Sequence, residues 1–344
     1  MASFREETFM ATEVTIVGQG LAGTCLAWRL WDRGVQFRLL HCGSRRRTSL
    51  ISAGLLTPVT GRKLNPSWRL EEFLPEAMSF YRNVEMVLGE QFFREVPIVR
   101  LFADDAERAR LERMKGELEP WMGGFLDKGN RPYFAPHGGV TWKGGGWLDT
   151  RRFLKASRRF FMEAGVFEEQ EVSLAEALPG GGVTVLCAGA AGLGAGAFAF
   201  LPERRAKGEL LTVRIPGFPG ERVVSRSGWL IPLGGGLFRA GSTYRWDDLT
   251  DRVTDAGREE IEDLVRSFTS LPCEVVEHVA GVRPIVRQSR PVIGRHPQME
   301  DLAIFNGLGS KGVLYAPGAS ERLASHLSEG KEIEEDVDVR ALAV

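Results

Sequence analysis

Apolar residues gather along this chain in two textures. In the first, a short continuous apolar run is followed by glycines and then by apolar positions at helical spacing. Residues 13–17, rich in Val, Ile and Thr, read as a buried strand. Gly18-Gln19-Gly20-Leu21-Ala22-Gly23 follows at once. Residues 24–33 then read as a helix, with Leu26, Ala27, Leu30 and Trp31 near one face. Gly34 is placed to end that helix, and 35–40 reads as a second strand. Crossover handedness makes such a strand pair parallel. The texture recurs at 183–188, a short strand closed by Gly189. It returns near the end of the chain, with a strand at 302–305, a glycine turn at 306–312 and a helix at 313–327.

The second texture is one of short strands and turn signals, at 210–215, 223–225, 229–232 and 237–240. Gly234-Gly235-Gly236 falls where a hairpin turn is needed, and the runs at 144–146 and 180–182 also read as turns. Helical periodicity covers 69–89, 104–118, 151–164 and 254–271, with Asp149-Thr150 and Thr254-Asp255 as N-terminal signals. Residues 96–102 read as a strand. Residues 120–146, rich in Gly, Pro and Trp, are expected to be irregular. The first texture lies at both ends and in the middle, with the second inserted between. That predicts two interleaved domains rather than two consecutive ones.

Composition narrows the class. The chain has 344 residues, 43% hydrophobic and 26% charged, which suits a folded globular protein. Glycine, at 41 residues, is well above ordinary usage but has no collagen-like period. The 44 Lys+Arg balance 45 Asp+Glu, so nucleic acid is not expected as the main partner. No apolar stretch approaches the roughly 18 residues of a membrane span. The polar N-terminus has no signal-peptide core, so a cytoplasmic location is expected. Cys25, Cys42, Cys187 and Cys273 are scattered and the histidines are dispersed, which predicts free thiols and no metal site.

The first glycine motif carries the strongest chemistry. Gly18 permits a tight turn, Gly20 lets the backbone approach a pyrophosphate, and Gly23 lets helix pack on strand. The phosphates would meet unpaired N–H groups at the helix start. The acidic residue that usually bonds the ribose is replaced by His41, followed by Cys42 and then Arg45, Arg46 and Arg47. A neutral histidine can still bond a ribose hydroxyl. The arginines fit the 2′-phosphate of NADP, or are simply a solvated loop. A second G-x-G-x-x-G lies at Gly307, Gly309 and Gly312. Val313 stands where a Walker A loop requires lysine, so this turn suggests one cofactor gripped from two sides. No nucleophile-and-base constellation accompanies these motifs.

Taken in order, five segments resemble the D-amino-acid-oxidase-like superfamily of FAD-dependent oxidoreductases, which includes glycine and sarcosine oxidases and a tRNA-modifying oxidase domain. They are the turn at 14–23, Ser52-Ala53-Gly54-Leu55-Leu56-Thr57-Pro58 with Val59-Thr60-Gly61, Val185-Leu186-Cys187-Ala188-Gly189, Gly281-Val282-Arg283-Pro284 with 290–294, and Asn306-Gly307-Leu308-Gly309-Ser310-Lys311-Gly312. The resemblance implies an α/β fold, with a Rossmann-like FAD-binding domain interleaved with a mainly antiparallel, α+β substrate domain. The expected division is 12–67, 144–206 and 279–330 for FAD, 68–143 and 207–278 for substrate, and a tail at 331–344.

The resemblance also implies roles. Gly18, Gly20, Leu21, Ala22 and Gly23 would hold the pyrophosphate, and His41 would take the place of the ribose acid. Ser52, Ala53, Gly54 and Leu55 would run along the flavin, with Ala188 and Gly189 near the ribityl chain. Gly309, Ser310, Lys311 and Gly312 would face the pyrimidine end of the ring, and Gly307 is also expected to bind the cofactor. No cysteine stands near this last segment, so the FAD is expected to be non-covalent. Arg283 would grip a substrate carboxylate, or serve as a structural arginine; Lys311 would balance charge on reduced flavin, or point to solvent. Tyr133, Tyr244 and Tyr315 are ranked low as pocket residues, and Trp142 and Trp147 are read as packing.

The expected reaction is oxidation of the C–N bond of an amino acid or amine, with hydride transfer to flavin N5 and reoxidation by O2 or an electron carrier. The alternatives are an NADP-dependent reductase, an FAD-binding protein without oxidase activity of its own, and action on modified tRNA.

Overall fold

A computed structural model describes residues 13–41, 48–129, 132–172, 182–194, 196–286 and 290–343. Cys42, the arginine run at 45–47 and Gly180 and Gly181 lie outside the described residues.

Val14–Val17 pairs in parallel with Phe37–His41 on one side and with Val183–Leu186 on the other. Phe167–Glu169 and Leu302–Asn306 extend this sheet in parallel, and Val292–Arg295 adds an antiparallel edge. Val14–Val17 and Val183–Leu186 are buried at every position, which explains why they read as continuous apolar runs rather than alternating ones. The chain leaves Val14–Val17 first toward one side of the sheet and later returns on the other. That reversal opens a crevice at the carboxyl ends of the strands, where open parallel sheets take their ligands. Helices Leu21–Asp32 and Gly312–Glu329 pack against each other, and Leu70–Leu88 packs on the latter. Leu26, Tyr81, Phe153 and Ala316 belong to this core.

The second sheet has eight strands, in the order Glu274–Arg283, Ala206–Arg214, Leu237–Gly241, Trp229–Gly234, Val223–Ser225, Ile98–Leu101, Gly139–Trp142 and Met122–Leu126. All its pairs are antiparallel except Val223–Ser225 with Ile98–Leu101. One face packs Leu211, Val213 and Phe238 against Ile261, Val265 and Phe268 of helix Asp255–Phe268. The N-terminal signals act as caps: Asp149 accepts a hydrogen bond from the Arg152 N–H, and Thr254 from the Gly257 N–H. Leu55–Leu56, Gly146–Leu148 and Phe93–Glu95 form a small sheet of their own. Among the described residues, no helix is long and apolar enough to cross a membrane.

Three expectations need correction. Residues 120–146 are not irregular throughout, because Met122–Leu126 and Gly139–Trp142 are strands of the large sheet. Gly139 hides this in the sequence: a Cβ there would lie 2.4 Å from the Arg100 carbonyl oxygen, so close pairing requires the glycine that looked like a loop signal. Glu274–Arg283, which carries charges at 274, 277 and 283, is nonetheless one long edge strand. It draws 279–283, expected with the cofactor domain, into the large sheet through pairing with Ala206–Arg214. The tail, expected at 331–344, is built into the first layer over its described residues 331–343: Val337 and Val339 are buried, and the Ile293 N–H donates to the Val337 carbonyl.

Candidate cofactor and substrate site

A cavity of about 1800 Å³ lies between the two sheets. Its wall includes the sequence-singled residues Gly18, Gly20, Leu21, Ala22, His41, Ser52, Ala53, Gly54, Leu55, Ala188, Gly189, Arg283, Gly309, Ser310, Lys311 and Gly312. Gly23 and Gly307 do not line it. They stand behind the wall and make the close approaches that shape it. A Cβ at Gly23 would lie 1.9 Å from the Gly18 carbonyl oxygen, and one at Gly307 would lie 2.6 Å from that of Arg290.

The first turn is open where a ligand would approach. Gly20 is the N-cap of helix Leu21–Asp32 and supplies no side-chain cap. Gly18 has φ +114°, which only glycine adopts easily, and a Cβ there would strike the Cys187 carbonyl. The Leu21 N–H donates to Ser49 Oγ at 3.1 Å, a contact that the motif alone did not reveal. His41 ends the neighbouring strand, is buried and faces the cavity.

The second turn meets the first. A Cβ at Gly312, the first residue of helix Gly312–Glu329, would lie 3.2 Å from Leu21 Cδ1. Two helix N-termini therefore converge on one cavity, and both favour negative charge there. Asn306 braces this turn, accepting from the Gly307 N–H and donating to the Gly189 carbonyl, both at 2.9 Å. On the opposite flank Gly54, φ +73°, packs on the Leu148 carbonyl, and Trp147 Nε1 donates to the Ala53 carbonyl at 3.0 Å. Ser52 Oγ bonds Ser49 and Thr150.

Lys311 is mostly buried, and its Nζ donates to Thr60 Oγ1 and Ser67 Oγ, each at 3.1 Å. Burial pulls its pKa down to about 8. Two neutral hydroxyls leave one ammonium hydrogen and the whole charge available to a ligand.

Arg283 ends the long edge strand with its guanidinium well buried. Nη1 donates to the Lys207 carbonyl at 3.1 Å, and Nη2 to Ser242 Oγ at 2.7 Å and the Thr243 carbonyl at 3.2 Å. Burial lowers its pKa, but a guanidinium in a protein stays charged. The ring of Tyr244 lies over it, and Tyr244 reaches Ser310 of the second glycine turn through a side-chain hydrogen bond. Burial raises the Tyr244 pKa, against the opposing pull of Arg283 and Arg204.

Tyr244 corrects the low ranking of the tyrosines, since it lines the cavity. Tyr133 packs on Phe218 instead, and Tyr315 is buried in the core. Trp142 is core, as read, whereas Trp147 also bonds the cavity wall. Sequence reasoning also missed the loop that follows Tyr244, whose residues 249–253 line the cavity, and His278 on the edge strand. No motif marks them; only the pairing of distant strands brings them here. Among the described residues no cluster of His, Cys, Asp and Glu is arranged to hold a metal ion.

These features fit a dinucleotide cofactor: a helix N-terminus whose N-cap Gly20 supplies no side chain, a second one opposite, and glycines at 18, 23, 54 and 307 where a Cβ would strike backbone behind the wall. The cavity also exceeds the ~300–1,000 Å³ of an ordinary ligand pocket, leaving room for a substrate beside the cofactor.

Comparison with known proteins agrees. The family model described as FAD dependent oxidoreductase (DAO) matches residues 13–326. The tRNA 5-methylaminomethyl-2-thiouridine biosynthesis bifunctional protein MnmC of Methylibium petroleiphilum is 26% identical, across 92% of this chain and 57% of that protein. Glycine oxidase of Bacillus subtilis is 30% identical across 40% of this chain and 37% of its own length. The chain thus spans about half, 52–57%, of the MnmC relatives it matches throughout. The crystal structure of glycine oxidase from Geobacillus kaustophilus superimposes with a TM-score of 0.77 at 20% identity, covering 94% of this chain and 96% of that one. That likeness bears on the fold.

Proposed function

The chain belongs to the FAD-dependent oxidoreductase family, and on that premise we propose that it oxidises the C–N bond of a small amine or amino acid. One observation carries the proposal: residues of both glycine turns, Arg283 and Lys311 stand on the wall of one cavity. Such a site suits chemistry in which the protein binds and orients while the cofactor accepts electrons.

In this reading Gly18, Gly20, Leu21 and Ala22 receive the pyrophosphate, with Gly23 holding the turn, and His41 receives the ribose. Residues 52–55, Ala188, Gly189 and 309–312 lie along the rest of the cofactor. Bound FAD supplies a two-electron acceptor, and O2 or an electron carrier restores it. Arg283 orients a substrate carboxylate with the N–H groups it does not use on Lys207, Ser242 and Thr243. Tyr244 keeps that guanidinium in place. Lys311 and the helix start at Gly312 favour negative charge at the ring end of the cofactor. Loss of two electrons and two protons turns the C–N bond into an imine, which water cleaves to a carbonyl compound and an amine. The absence of a thiol in the 306–312 segment supports non-covalent attachment. The free thiols at Cys25, Cys187 and Cys273 support a reducing, cytoplasmic setting.

The test is anaerobic mixing of the flavin-loaded protein with a panel of amines and amino acids. Bleaching of the flavin absorbance by some of them is expected, as is release of the flavin on denaturation. A yellow protein that no amine bleaches would instead be an FAD-binding protein without oxidase activity of its own.

A second reading is favoured by the match across 92% of this chain to a protein whose name states tRNA 5-methylaminomethyl-2-thiouridine biosynthesis. There the amine is carried on a tRNA base. Bleaching by tRNA bearing an amine precursor of that modification, but by no free amine, would select it.

A further inference from the structure

We infer that Arg252 reads a second anionic group, a carboxylate or a phosphate, at the far end of the substrate. This rests on the amine-oxidation reading and narrows it.

The cavity carries an excess of positive charge. Among its described lining residues stand Arg100, Arg226, Arg252, Arg283 and Lys311, against the single carboxylate of Asp251, in a chain of net charge −1. Arg100 is neutralised by Glu107. A cofactor pyrophosphate brings about two negative charges, one per phosphate. One positive charge therefore remains over, before any substrate anion is counted, so the cavity can take at least one anionic group of a substrate without excess negative charge.

Arg252 is distinguished from the others by what its side chain does. Arg226 donates to the Ser267 and Phe134 carbonyls, Arg283 to Lys207, Ser242 and Thr243, and Lys311 to two hydroxyls. Arg252 is exposed on the cavity wall and makes no hydrogen bond or ion pair among the described residues. Its whole fork, suited to bidentate grip of an oxyanion, is free.

Its backbone is nevertheless held. Asp248 bonds the buried Lys207 ammonium, and Thr254 donates through N–H and Oγ1 to the buried Glu209 carboxylate. Both anchors lie on the same strand, Ala206–Arg214, so the loop between them is clasped at each end. Leu249 and Val253, on either side of Arg252, offer the cavity apolar surface. The ligand that fits is an amine whose carbon chain passes these two residues and ends in an anion.

The test uses acetates in which a thioether sulfur stands for the substrate nitrogen, so nothing is oxidised. On flavin-loaded protein, calorimetry compares S-alkyl thioglycolates with those of equal length ending in carboxylate or phosphonate. At one chain length the charged end should bind about tenfold tighter or more. Arg252→Ala should abolish that preference, and Arg252→Lys should retain part of it. Whether carboxylate or phosphonate gains more identifies the anion. An equal preference in Arg252→Ala, or none at any length in the wild type, would overturn the inference. Because binding is read without turnover, this outcome is separate from failure of amines to bleach the flavin.

Discussion

Tyr244 lies over the guanidinium of Arg283, its ring centroid 4.3 Å from Cζ, and Gly208 leaves the space that the guanidinium needs. A Cβ at 208 would fall 2.0 Å from Arg283 Nη2. Gly208→Ala should therefore push the guanidinium aside while the fold persists, because the clashing atom ends a flexible side chain. Both Gly208→Ala and Arg283→Ala are expected to raise KM for an amino acid about tenfold or more. The rise for the matching amine without a carboxylate should be much smaller. Equal rises for both substrates would reject the anchoring role.

Lys311 gives a pH signature with a definite sign. Burial holds its folded pKa at about 8, below the ~10.4 of an unfolded chain. Below pH 8 both states hold the proton. Between the two values the folded state releases it first, so the unfolded state binds more protons and stability rises with pH. Relative to Lys311→Met, the apoprotein should gain about 2–3 kcal/mol between pH 7 and pH 10.5. Urea unfolding of both proteins at the two pH values measures this. A relative loss would contradict the buried placement.

Two glycines of the first turn should separate folding from cofactor binding. At Gly23 an added Cβ meets the backbone oxygen of Gly18 at 1.9 Å, which cannot yield without moving the turn. Gly23→Ala should cost about 1–3 kcal/mol of stability and most of the flavin. At Gly20 the nearest atom is Ser49 Oγ, at 3.1 Å. Gly20→Ala should keep the urea midpoint while flavin content falls, since the methyl stands at the helix end that faces the cavity. Absorbance at the flavin bands, read beside unfolding curves, distinguishes the two.

Lys207 is buried and ties Asp248, at the start of the cavity loop, to the sheet. Lys207→Met removes that tie and leaves the strand pairing intact. Trypsin cleavage after Arg252 should then speed up several-fold, reporting local opening rather than global unfolding. Unchanged cleavage would mean that the Glu209 clasp suffices alone.

Much of the cofactor half was legible in the sequence because its signals are local. A strand, a glycine turn and a helix within thirty residues specify their own geometry, and Gly18 to Gly23 and Asn306 to Gly312 both behave so. Strand alternation around Gly234 to Gly236 was readable for the same reason. The substrate wall was not. Glu274–Arg283 is an edge strand with polar positions that break any apolar run, and its antiparallel pairing with Ala206–Arg214 defines its place. Tyr244 looked like any core tyrosine because its partners, Arg283 and Ser310, lie far along the chain. The clasped loop at 244–254 is set by side chains from another strand, for which no spacing rule exists.

The placement of Val14–Val17 governs when the site can come into being. Its neighbour Val183–Leu186 leaves the ribosome long after it, and the strand beyond, Leu302–Asn306, later still. Until those arrive, the first glycine turn has neither the Cys187 carbonyl behind it nor helix Gly312–Glu329 beside it. Non-local pairing of this kind is slow and leaves strand edges unprotected meanwhile. A nascent chain stalled before residue 302 would thus carry a recognisable nucleotide motif and hold no nucleotide. Flavin capture is consequently a late event in the life of each molecule, open only to a chain whose last strand and helix have been made.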